Sequence, residues 1–72
     1  MKVGTKIEMD NGDLGIQQGV IIEDDGWGGI VAWDVPFEDQ EELADNFEMF
    51  GGKILPDNWE FEHINNDGTL KN

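Results

Sequence analysis

Apolar and polar residues alternate over Lys6-Ile7-Glu8-Met9, which places Ile7 and Met9 on one face of a short strand. The Asn11-Gly12 pair that follows suits the positive φ angles of a tight turn. Leu14-Gly15-Ile16 resumes the apolar pattern, and Val20-Ile21-Ile22 is a β-branched run of the kind found in strands buried on at least one side. Asp24-Asp25-Gly26-Trp27-Gly28-Gly29 has turn chemistry, because glycine supplies conformations other residues resist and Asp bonds its own backbone. Ile30 to Val35 is then a second strand, so the pattern predicts a hairpin of 20–23 against 30–35.

Pro36 ends that strand, and Asp39 stands three residues before Glu42 in a capping pattern, so a helix is expected over 39–50. At about 100° per residue, Leu43, Phe47 and Phe50 share one side of it, and Glu38, Glu41, Glu42, Asp45 and Glu48 share the other. Gly51-Gly52 supplies its stop. Pro56-Asp57-Asn58 predicts a turn, and Trp59 to Ile64 alternates as a last strand. The region 65–72 lacks apolar periodicity and is expected to be a flexible tail beyond a single domain of 1–64.

The expected fold is mostly β with one helix, an α+β arrangement of four or five short antiparallel strands closed into a small barrel, since closure removes exposed edges. In order, Val3-Gly4-Thr5-Lys6-Ile7, Gly19-Val20-Ile21-Ile22, a glycine-rich turn, Ile30-Val31-Ala32-Trp33-Asp34 and Trp59 to Ile64 resemble the small Src-homology-3-like (SH3-like) barrels over most of residues 3–64. The resemblance implies a binding module rather than a catalyst. It departs from those barrels in the helix inserted after the Trp33-Asp34 strand, and it transfers no binding residues.

Composition changes the picture by its charge. Seventeen Asp and Glu oppose four lysines in 72 residues, a formal net charge of −13. Such charge repels itself, so either the solvent requires it or a positively charged partner receives it. Seven large aromatics, Trp27, Trp33, Phe37, Phe47, Phe50, Trp59 and Phe61, supply a dense core and separate the chain from acidic disordered tails. Ser, Cys, Tyr and Arg are missing, which excludes thiol chemistry and a guanidinium clamp and leaves only Thr5 and Thr69 as hydroxyl nucleophiles. Catalysis is therefore not expected. The lack of cysteine and of any long apolar stretch points to a cytoplasmic chain with no membrane association.

The candidate site follows from these two features. Like-charge neighbours along the expected helix disfavour it by about 1–2 kcal/mol in total, at a few tenths per pair. That load is explained either as a solvated face in an acidic protein or as a row of carboxylates that imitates phosphate charge over about 15 Å. Glu38, Glu41, Glu42, Asp45 and Glu48 are the expected partner-binding residues. Trp27, on a hairpin tip, is either an interface anchor or a lid on the core. In size and acidity the chain is similar to small, often phage-encoded inhibitors that mimic DNA.

The expected role is thus an inhibitor or decoy that occupies the basic, nucleic-acid-binding surface of a larger protein, without binding nucleic acid directly. The alternative is a structural or adaptor protein whose acidity serves solubility, with a homodimer left open. No cofactor or metal is expected: Asp10 to Asp13 and Asp24 to Gly26 lack the alternating acids of a calcium loop. His63 has no second histidine or cysteine with which to hold zinc.

Overall fold

The computed structural model describes residues 1–71. Among these residues five strands form one antiparallel sheet: β1 (Lys6–Asp10), β2 (Ile16–Asp24), β3 (Gly29–Trp33), β4 (Gln40–Glu42) and β5 (Lys53–Ile54), in the order β4-β3-β2-β1-β5. A 3₁₀ turn over Gly12–Leu14 joins β1 to β2. Among the described residues there is no α-helix, so the fold is all-β rather than α+β. No pairing joins β4 to β5 among the described residues. The sheet expected to close into a barrel is open in its hydrogen bonding.

Both faces of the sheet are covered, which explains why Val20-Ile21-Ile22 is continuously apolar instead of alternating. Ile7, Met9, Ile21, Val31 and Trp33 pack on one side with Leu43 and Phe47 from the segment after β4. Val20 and Ala32 pack on the other with Phe61 and Ile64 from the C-terminal segment. A bulge at Ile22 shifts the β2–β3 register, so that Ile21 faces Val31 but Glu23 faces Ile30. Gly29 makes this bend feasible: its φ is +148°, and a Cβ there would lie 1.8 Å from the Glu23 carbonyl oxygen.

The helix expected over 39–50 is replaced by β4 and a series of turns through Gly51. The physical reason is the outer edge of β3, whose residues are largely buried and whose backbone groups need partners. Trp33 N–H donates to the Asp39 carbonyl (2.9 Å) and Leu43 N–H to the Gly29 carbonyl (2.9 Å), bonds that a helix over the same residues would forgo. A 12-residue helix crowded with like charges and lacking lysine is marginal and does not compete. Leu43 and Phe47 are buried as expected, whereas Phe50 is 48% exposed.

The last strand expected over 59–64 is not formed either; among the described residues an isolated bridge, Ile64 with Leu70, is all the pairing found there. Side chains satisfy this segment instead. The Asp34 carboxylate accepts from Glu62 N–H (2.9 Å) and His63 N–H (2.6 Å). Lys6, only 6% exposed, donates to the carbonyls of Asp57 (2.7 Å) and Trp59 (2.6 Å), with its Nζ 5.7 Å from the centre of the Phe61 ring. Lys71 Nζ donates to the Phe61 carbonyl. The last described residues turn back through Asn65 N–H to Thr69 and Lys71 N–H to His63. Gly68 lies against β2 and β3, where a Cβ would meet Ile22 at 2.6 Å. Of the tail expected over 65–72, Asn72 lies outside the described residues.

Candidate interaction surface

Because β4 is a strand, its side chains alternate between the faces of the sheet, and the one-sided stripe of a helix is split. Glu41 lies opposite Val31, on the side of Ile21 and Trp33, and its Oε2 accepts from the Trp33 indole Nε1 (3.2 Å). Glu42 lies opposite Ile30, which in turn faces Glu23, so Glu23, Ile30 and Glu42 form one cross-strand row. At ordinary strand spacing the two carboxylate-bearing strands in that row are about 10 Å apart. Glu38 precedes the strand, and Asp45 and Glu48 lie in the turns after it. All five expected acids are exposed, and among the described residues none makes an ion pair.

The lysines are mostly committed elsewhere. Lys6 is buried on carbonyls, Lys71 is bound to Phe61, and Lys53 pairs with Glu8 at 3.3 Å on the far edge of the sheet. The Gln18 amide (2.9 Å) and then Lys53 hold the Glu8 carboxyl below its usual value. The β4 side therefore offers acceptor oxygens that, among the described residues, no cation pairs with.

Trp27 stands at the β2–β3 tip and is 54% exposed, so it does not close over the core. Its loop is fixed from several directions. The Met1 ammonium donates to the carbonyls of Gly26 (3.1 Å), Trp27 (2.8 Å) and Gly28 (2.6 Å) and approaches Asp24 Oδ1 at 3.3 Å. The Asp24 carboxyl is lowered first by Gly26 N–H and then by that ammonium. Asp25 Oδ1 accepts from Gly28 N–H at 3.1 Å. The bond from Leu43 to Gly29 brings the base of this tip beside the end of β4.

Two contributors escaped the sequence pattern. Phe37, counted there among core aromatics, is 59% exposed just ahead of β4. Glu23 joins the acidic row only through the bulge, which no periodicity announces. Elsewhere, an open cleft of about 270 Å³ is bordered by Phe61, Ile64 and Lys71, and another of about 300 Å³ by Met9, Asn46 and Phe50; neither is lined by a β4 residue. Among the described residues no three His, Asp or Glu side chains are grouped to hold a metal ion. No helix among them is long and apolar enough to cross a membrane. No protein family, curated protein or solved structure matches the chain.

Proposed function

We propose that the chain is a non-catalytic protein-binding module whose β4 side occupies a basic, nucleic-acid-binding surface of a larger protein, as an inhibitor or decoy acting in the cytoplasm. The observation that carries this reading is the exposed set Glu38, Glu41, Glu42, Asp45 and Glu48, extended by Glu23, with no lysine or other cation paired to it among the described residues. A solvated surface ordinarily intersperses charges of both signs. Unopposed carboxylates instead raise the rate of encounter with a positive surface and repel nucleic acid itself. Exposed Trp27 adds an apolar anchor of the kind that dominates interfaces.

The test is affinity capture from a lysate with the immobilised chain and with a variant carrying Glu38→Gln, Glu41→Gln, Asp45→Asn and Glu48→Gln. Proteins held by the wild type are expected to be released by duplex DNA and by moderate salt, and to be lost from the variant. Equal recovery by both chains, or retention in excess DNA, overturns the reading.

A second reading, an assembly protein joined through apolar contacts, draws on Met49 and Ile54, which are 85% and 61% exposed. Complexes of that kind hold as ionic strength rises, whereas a charge decoy weakens steeply.

A further inference from the structure

We propose that the outer edge of β4 takes up a basic, extended segment of the partner as a sixth strand of the sheet; this deepens the decoy reading above and rests on it. The phase of the β3–β4 ladder decides which backbone groups are free. Asp39 and Leu43 bond inward to Trp33 and Gly29, with Glu41 opposite Val31 between them. In an antiparallel pair inward and outward residues alternate, so the N–H and C=O of Gln40 and Glu42 point away from β3. An open row of this kind is a template for a further strand.

Charge selects the occupant. A second copy laid edge to edge would bring its own Glu41 and Glu42 against these, between bodies each of net charge −13. A segment with two consecutive Lys or Arg residues instead meets Glu41 on one face of the sheet and Glu42 on the other. Exposed aromatics flank the strand on both sides. Phe37 lies two residues before Asp39, and Trp27 lies two residues before Gly29, the partner of Leu43. The edge therefore offers an apolar contact at each end and carboxylates between, with main-chain bonds supplying affinity and the acids supplying sign.

The probe is a blocked heptapeptide, acetyl-Val-Thr-Lys-Lys-Val-Thr-Val-amide, with a control in which both lysines are glutamine. On binding, hydrogen exchange at the Gln40 and Glu42 amides is expected to slow by about tenfold or more, with less change at the already bonded Glu41. The decisive variant is Gln40→Pro. It removes one outward N–H at a position where an edge strand tolerates proline, and it leaves every acid in place. Retained protection of the Trp33 amide verifies that β4 still pairs. The peptide is expected to bind this variant about tenfold more weakly, because its carbonyl loses a partner.

Unchanged affinity for Gln40→Pro, or unchanged exchange at Gln40 and Glu42, overturns strand addition while leaving a purely electrostatic decoy intact. Equal binding of the glutamine control overturns the choice of a basic segment. If the Gln40 and Glu42 amides become protected with rising protein concentration alone, the edge belongs to a second copy and the proposal falls. If the peptide fails to bind at millimolar concentration while DNA-competed capture persists, strand addition is wrong and the decoy reading survives. Loss of both removes the two together.

Discussion

Asp34 takes the place of a neighbouring strand. Its two oxygens accept from the N–H groups of Glu62 and His63, and Lys6 donates to the carbonyls of Asp57 and Trp59, so the C-terminal segment is held by charged side chains on the sheet. In the sequence Asp34 is one of seventeen acids and Lys6 a polar residue in an alternating strand, and neither identity nor spacing distinguishes them. Phe61 and Ile64 were legible as apolar, and both are buried in the segment that these two anchors bond. Asp34→Ala is expected to lower stability by about 2 kcal/mol in urea unfolding, with an unchanged denaturant slope, because hydrogen bonds to a charged group are the stronger kind. Lys6→Met keeps the apolar stem and removes the ammonium from two carbonyls, with an expected loss of similar size. A change within about 0.5 kcal/mol for both would mean that water replaces these bonds freely.

At the scale of elements, the hairpin of β2 and β3 was legible because β-branched runs and a glycine-rich turn agree with each other. The helix expected over 39–50 does not form: of the three residues its spacing placed on one face, Leu43 and Phe47 are buried and Phe50 is 48% exposed. The same two residues are buried equally well by a strand and following turns, and what decides between the two is the unpaired edge of β3, a partner about ten residues earlier in the chain. Glu and Gln are poor strand formers, so nothing local announces β4. The difference is measurable at Phe50, which a helix would have placed beside Leu43 and Phe47. Leu43→Ala is expected to destabilise by about 2–4 kcal/mol and Phe50→Ala by less than about 1 kcal/mol, followed by thermal or urea unfolding. Equal losses at the two sites would contradict the different burial of Leu43 and Phe50. Gly29→Ala is expected to prevent the β2–β3 bend and to leave little folded protein by circular dichroism.

For the whole molecule, net charge was legible from composition, while its distribution was not, because the split of Glu41 and Glu42 across the sheet depends on β4 being a strand. Two opposing electrostatic effects then set stability against pH. Glu8, Asp24 and Asp67 all have carboxyls lowered by hydrogen bonds, Asp67 first through the Thr69 hydroxyl and then through its N–H. A carboxyl lowered in the folded state adds stability that is complete above its unfolded value, about 3.9 for Asp and 4.3 for Glu. That stability is lost as pH falls through the lower folded value. Against this, the net charge of −13 at neutral pH destabilises the compact state by self-repulsion, over distances such as the roughly 10 Å between the strands of Glu23 and Glu42. Salt acts on the second effect far more than on short hydrogen bonds, since the screening length falls from about 10 Å at 0.1 M to about 3 Å at 1 M. Raising NaCl from about 0.02 to 0.5 M at pH 7 is therefore expected to raise the melting temperature by several degrees. The same addition near pH 3 is expected to leave the acid loss of stability largely in place, because that loss comes from protonating hydrogen-bonded carboxylates. Differential scanning calorimetry across both pH values and salt levels reads this directly. A melting temperature that falls with salt at pH 7 would show that attractive pairs such as Lys53 with Glu8 outweigh the repulsion, and that the acidic surface carries no strain for a basic partner to relieve.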